Sequence, residues 1–222
     1  MKRHHALIID TETAGNLDKP TIYDIGAIVV EFDGKRYQAI NELSVVIKQT
    51  YDNKPLFQTA YYGEKRADYT NAMKGRKTRK RYYGHTMQSI KRLIEKHNIK
   101  TVYAYNANFD KRAIANTTAL FNTQDIFKGI TWRCIYGVAN SYIHATTDYL
   151  KWCKRNYNFT KKLNAKADVQ TTYQYLTQDQ TFRESHTGLK DCQIELEILN
   201  ECLKRGYKLE FCSVRYHSVE GV

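Results

Sequence analysis

The sequence predicts an α/β chain, a mixed β-sheet with helices on its faces. Short apolar and β-branched runs come first, strand-like and helix-like segments alternate through the middle, and the last third is helical in pattern. The 222 residues suit one domain, 1–222, with an insertion over about residues 49–84. A chain of this length buries roughly 70% of the surface it exposes when unfolded, so its core needs no staples. A hydrophobic content of 42% excludes a disordered chain, and 11 Gly with 2 Pro exclude collagen-like and low-complexity classes.

Residues 6–10 (ALIID) are a short apolar run ending in a carboxylate, the pattern of a buried central strand. Residues 21–32 (TIYDIGAIVVEF) are β-branched and aromatic, and Asp33-Gly34 supplies a hairpin turn. Residues 38–48 return antiparallel, giving a meander with the first strand inside. Residues 49–84 break the regularity. They hold Tyr61, Tyr62, Tyr69, Tyr82 and Tyr83 beside a basic run at 74–81. Thr86 reads as the N-cap of a helix through His97, with Met87, Ile90 and Ile94 at helical spacing. Residues 101–105 form a strand, 108–121 a helix, 130–132 a further strand and 134–143 a helix. Residues 169–176 and 191–205 are helical, the second with Ile194, Ile198 and Cys202 on one stripe and Gly206 as its stop.

Charge narrows the function classes. Lys+Arg of 35 against Asp+Glu of 23 gives +12, beyond the roughly 2–8 that solubility asks of a small domain. A polyanion, nucleic acid first, is the expected partner. No window resembles a membrane span, and the apolar run at 6–9 is too short for a secretory leader, so a cytoplasmic protein is expected. Cys134, Cys153, Cys192, Cys202 and Cys212 are widely spaced without a C-x-x-C pair, which points to buried reduced thiols.

Three motifs carry candidate chemistry. In Asp10-Thr11-Glu12 the two carboxylates share a strand face, which costs repulsion and desolvation unless a cation sits between them; a polar strand end is the plain alternative. Asn106-Ala107-Asn108-Phe109-Asp110 follows a strand and opens a helix, so Asp110 is a second acid beside a strand end, or an ordinary first-turn acid behind an Asn cap. His186-Thr187-Gly188-Leu189-Lys190-Asp191 places an imidazole on a loop beside a helix-borne carboxylate; a structural histidine is the plain alternative there.

In this order, IIDTET, NANFD and H-x4-D resemble the DEDDh (DnaQ-like) 3′–5′ exonucleases, which include the proofreading epsilon subunit of DNA polymerase III, ribonuclease T and oligoribonuclease. The resemblance runs from about Ala6 to Leu203, with Asp24-Ile25-Gly26-Ala27 similar to a second-strand motif of that family. It implies a ribonuclease H-like sheet. It also implies that Asp10, Glu12, Asp110 and Asp191 bind two Mg²⁺ or Mn²⁺ ions and that His186 is the general base. Single-stranded DNA or RNA with a free 3′ end is the implied substrate. Thr11, Thr13, Leu17, Asn106 and Phe109 are the implied contacts around it.

The chain departs from the family in two places. Asn16 and Leu17 stand where relatives often carry a base-wedging residue, and Trp132-Arg133-Cys134 replaces an Asp-Thr. The insertion adds Lys74, Arg76, Lys77, Arg79, Lys80 and Arg81 with flanking tyrosines, a pattern for tracking phosphates. The alternative readings are a proofreading subunit in a polymerase or replication assembly and a silent nucleic-acid-binding or inhibitory protein on the same fold. Homodimers occur among the relatives.

Overall fold

The structure is a computed structural model that describes residues 4–209. Its centre is a six-stranded sheet in the order β4-β3-β2-β1-β5-β6. The strands are β1 His4–Ala14, β2 Thr21–Phe32, β3 Tyr37–Ile47, β4 Arg79–Arg81, β5 Thr101–Ala104 and β6 Thr131–Cys134. The first three form an antiparallel meander; β5 pairs with β1, β6 with β5 and β4 with β3 in parallel. β2 is buried along nearly its whole length, which is why its sequence reads as an almost unbroken apolar run.

β1 runs four residues past the expected end, because its pairing with β2 continues to Ala14 opposite Thr21, with a bulge after Glu12. Asp10 and Glu12 therefore lie within the strand. Alternation along β1 divides the core. Ala6 and Ile8 face one layer, made of α6 Ile135–Ala139, α7 Thr147–Arg155, α8 Val169–Thr177 and α9 Gly188–Lys204. Leu7 and Ile9 face the other, made of α4 Tyr83–Lys96 and α5 Ala107–Leu120. A third cluster, Ala14, Tyr23, Val46, Tyr51, Phe57 and Tyr69, anchors the insertion.

The insertion is more ordered than its sequence suggests. It contains α1 Lys48–Tyr51, α2 Lys54–Phe57, a 3-10 turn Gly63–Lys65, α3 Arg66–Lys74 and β4, which adds the basic residues to the sheet edge. Thr86 is not an N-cap: Tyr82 holds that place, and the buried Thr86 hydroxyl donates to the Tyr82 carbonyl at 3.1 Å. Helix α7 was not expected. Its signals were a Thr146 cap, whose hydroxyl oxygen accepts from the Tyr149 N–H, and Tyr149, Trp152 and Cys153 on one face. A π-helical turn, Asn140–His144, extends α6. Cys134, Cys153, Cys192 and Cys202 are buried free thiols, while Cys212 lies outside the described residues. Among the described residues no helix is long and apolar enough to cross a membrane.

Candidate active site

The site forms where the neighbours of β1 diverge. Parallel pairing with β5 is recorded at Leu7 and Ile8, whereas pairing with β2 continues to Ala14. Beyond Ile8, the β5 side of β1 is met by the start of α5. The Thr11 N–H and hydroxyl both donate to Asp110 Oδ1, at 3.1 and 2.8 Å. A crevice at such a divergence is where polar groups from several elements converge in α/β sheets.

Helix α9 closes the opposite side. Its first residue, Gly188, lies so close to Gly26 of β2 that a Cβ on Gly26 would sit 1.9 Å from the Gly188 carbonyl carbon. Asp24 Oδ2 secures the approach by accepting from the Gly188 N–H at 2.8 Å and from the Tyr69 hydroxyl at 2.9 Å. Starting α9 at Gly188, three residues before the expected start, puts Asp191 in its first turn and Glu195 one turn later on the buried face. Ile194, Ile198, Leu199 and Cys202 pack against the sheet from the same helix. Each fully buried Ile or Leu is worth about 1.5–3 kcal/mol, which opposes the repulsion among the acids on the same helix and β1.

Glu12, His186 and Asp191 each bring one ligand atom to within 4.8 Å of the others, a spacing that can hold a metal ion. Asp10, Asp110 and Glu195 lie close enough to be linked to it by charge: Asp10 feels Glu195, Asp110, Asp191 and Glu12, and Glu195 feels Asp110 and Asp191. Burial, reinforced by the other acids, pushes Glu12 up to about 9 and Asp191 to about 8. Burial also pushes Asp110 up to about 7 against the two Thr11 hydrogen bonds, and Asp24 to about 6 against those from Gly188 and Tyr69. Asp10 and Glu195 are held well above the ordinary carboxylate range. Burial is again the main cause, and Glu195 is the strongest charge acting on Asp10. Asp10 Oδ2, Asp24 Oδ1 and Glu195 Oε2 are buried without a hydrogen-bond partner. Such a group of hard oxygen donors fits a divalent cation.

His186 has a left-handed backbone (φ 48°) and is tied down on several sides. The Tyr62 ring stacks on its imidazole at 3.8 Å and 12°. The Tyr69 hydroxyl, whose proton goes chiefly to Asp24, also lies 3.3 Å from its carbonyl, and the Lys65 ammonium donates to the carbonyl of Ser185. Burial first, then Lys65, lowers the imidazole to about 4. Its Nδ1 is 3.9 Å from Glu184 Oε2, and burial pushes Glu184 up to about 7, so near pH 7 a neutral imidazole faces a carboxyl that is about half ionised.

The remaining expected residues lie around this centre. Thr11 is buried with its hydroxyl directed to Asp110; Thr13 is half-buried just past the bulge. Leu17 is 74% exposed. Asn106 is the exposed N-cap residue of α5, without a side-chain cap bond, and Phe109 is half-buried beneath the Arg112 guanidinium at 5.7 Å. Lys74, Arg76, Lys77 and Arg79 are exposed; Lys80 pairs with Asp52 at 2.9 Å, and Arg81 donates to Ser89 Oγ at 3.2 Å. Of the tyrosines expected as stacking groups, Tyr69 and Tyr83 are buried and hydrogen-bonded inside, which removes them from that role. Sequence reasoning missed Glu195 and Lys65, and named Tyr62 among the insertion's tyrosines without its contact to His186. Glu195 did leave a signal, an acid four residues after Asp191 on an otherwise apolar stripe.

No protein-family model matches the chain, and no curated protein matches it. Among solved structures, it is similar to a full-length 3′-exonuclease, at 10% identity and a TM-score of 0.60, covering 93% of this chain and 84% of that one. It is also similar to cell-death related nuclease 4, at 11% identity and a TM-score of 0.52. That match covers 91% of this chain, which spans only 64% of that nuclease. At the level of fold the chain resembles these two nucleases, and its mixed sheet with flanking helices is ribonuclease H-like.

Proposed function

We propose that the chain is a metal-dependent 3′–5′ exonuclease that trims single-stranded nucleic acid from its 3′ end and releases nucleoside 5′-monophosphates. The observation that carries this reading is the meeting of Glu12, His186 and Asp191 within 4.8 Å, backed by Asp10 and Asp110. Asp10, Glu12, Asp110 and Asp191 would hold two divalent cations, Mg²⁺ or Mn²⁺. When bound, such ions supply the positive charge that stabilises the phosphoryl group and the departing 3′-oxygen of an in-line displacement.

The chain's own residues supply the rest. His186 takes the proton of the attacking water, and its lowered pKa leaves the imidazole free to accept one at neutral pH. The deprotonated water adds to phosphorus, the bond from phosphorus to the 3′-oxygen breaks, and that oxygen takes a proton from solvent, so the shortened strand leaves with a 3′-hydroxyl. Tyr62 orients the imidazole by stacking, and Thr11 fixes one oxygen of Asp110. Leu17, Phe109 and the exposed basic residues of the insertion contact the strand.

The test is incubation of 5′-labelled single-stranded DNA and RNA of one sequence with Mg²⁺ or Mn²⁺, beside Asp110→Ala and His186→Ala variants. A ladder shortening from the 3′ end, absent with EDTA and in both variants, is the expected result. No product from either strand with either metal overturns the reading in favour of a silent binding protein.

A further inference from the structure

A cavity of about 850 Å³ opens beside the catalytic group and shares only His186 with it, Glu184 standing next to that residue in the wall. Helix α8 supplies its floor. Gln170 and Gln174 stand one turn apart on that helix, and backbone groups of the segment before α9 pin each amide in one orientation. Gln170 accepts the Glu184 N–H through Oε1 at 3.1 Å, which leaves its two N–H donors available. Gln174 donates through Nε2 to the carbonyls of Gln180 and Phe182, at 3.2 and 3.0 Å, which leaves its oxygen as an acceptor. The partners are a donor in one case and acceptors in the other, so the two amides cannot be flipped without losing these bonds.

Two other wall chemistries accompany the amides. Tyr61, 84% exposed, packs edge-on against Tyr62 at 4.8 Å and presents a ring at the rim. Lys166 and Arg183 bring positive charge to the wall. A preset donor beside a preset acceptor matches the edge of a nucleobase, an aromatic rim matches its face, and two cations match a phosphate. A lipid tail would need apolar walls, whereas this lining is polar and carries the carboxyls of Asp168 and Glu184 alongside the two cations.

We propose that this cavity is a nucleotide subsite, in which Gln170 and Gln174 read a base edge of the substrate strand while Lys166 and Arg183 hold its phosphate. The identity of the ligand rests on the nuclease reading above, but its binding can be tested without catalysis. The full chain is titrated in EDTA with adenosine 5′-monophosphate and, separately, with ribose 5-phosphate, by calorimetry. The wild type is expected to bind the nucleotide at least about tenfold more tightly than the sugar phosphate. Gln170→Ala and Tyr61→Ala each narrow that gap several-fold, whereas Lys166→Ala weakens both probes alike; Tyr61→Ala keeps the test open if loss of the Gln170 amide disturbs folding. Equal affinity of the wild type for the two probes, or a gap unchanged in both Gln170→Ala and Tyr61→Ala, overturns the subsite. If oligonucleotides are nevertheless degraded, the nuclease reading survives without the subsite. Base-dependent binding that falls in the variants, in a protein that hydrolyses nothing, supports the subsite and overturns the nuclease reading.

Discussion

Replacing Gly26 with alanine tests the frame that holds the site. The added Cβ would lie 1.9 Å from the carbonyl carbon of Gly188 and 2.2 Å from both its oxygen and the Leu189 nitrogen. All three are backbone atoms, so no side chain can swing aside. Ordinary contact begins at 3.4 Å, so β2 and the start of α9 must part by about 1.5 Å, the difference between 3.4 and 1.9. That movement breaks the 2.8 Å hydrogen bond from Gly188 to Asp24, worth about 1.5–3 kcal/mol for a charged acceptor. Overpacking adds about 1–3 kcal/mol. The summed destabilisation is about 2.5–6 kcal/mol, read as a fall in thermal midpoint.

The same movement carries Asp191 and His186 away from Glu12. A misplacement of this size costs on the order of 100-fold in rate, read as 3′ trimming of a labelled strand. Gly84→Ala is the control, because its Cβ meets only Thr123 Cγ2 at 3.5 Å within α4. A Gly26→Ala protein with wild-type melting and trimming would refute the close approach and the frame built on it.

Three further predictions follow from the electrostatics and the insertion. Without metal, the raised carboxyls make the folded chain bind more protons than the unfolded one, so stability present at low pH is lost as pH rises towards their folded values. With Asp191 at about 8 and Glu12 at about 9, melting in EDTA should weaken between pH 7 and 9 by on the order of 3 kcal/mol. That window lies above the opposing effect of His186, and Mn²⁺ should restore the loss; identical melting at the two pH values in EDTA would exclude this strain. Changing Arg76, Lys77, Arg79 and Lys80 together to alanine should flatten the salt dependence of single-strand binding by up to about 0.7 in slope per lost phosphate contact, with trimming of a dinucleotide unchanged. An unaltered slope would place the strand elsewhere. Tyr69→Phe removes the hydroxyl that joins the insertion to Asp24 and His186, and should cost about 1–2 kcal/mol in a denaturant melt while slowing trimming; unchanged values for both would show that this hydroxyl links nothing of consequence.

The sequence showed those parts of the fold whose cause is local. Strand β2 matches its expected bounds because a buried central strand is apolar on both faces. The acids Asp10, Glu12, Asp110 and Asp191 were visible because strand period, helix start and motif order each mark them. The extension of β1 to Ala14 was not visible, since it depends on pairing with β2 rather than on the polar residues themselves. Strand β4 was hidden for the same reason: three basic residues have no strand character until β3 offers an edge. Tyr62 reaches His186, and Lys65 the carbonyl of Ser185 next to it, across 120 residues of chain or more, a proximity that no spacing rule encodes.

The separation of these partners along the chain sets an order of assembly during synthesis. Thr11 meets Asp110 across 99 residues, but Asp24 meets Gly188 across 164 and Cys192 meets the Ile8 carbonyl at 3.8 Å across 184. A nascent chain can therefore pair β1, β2, β3 and β5 and dock α5 while α9 is still unmade. Throughout that interval it lacks Asp191 and Glu195, and the Ile8–Ile28 side of its sheet is without the helix that covers it. Helix α9, the last among the described residues, both seals the core and brings in Asp191 and Glu195, so the polypeptide gains its chemistry in the same step that covers this side of the sheet.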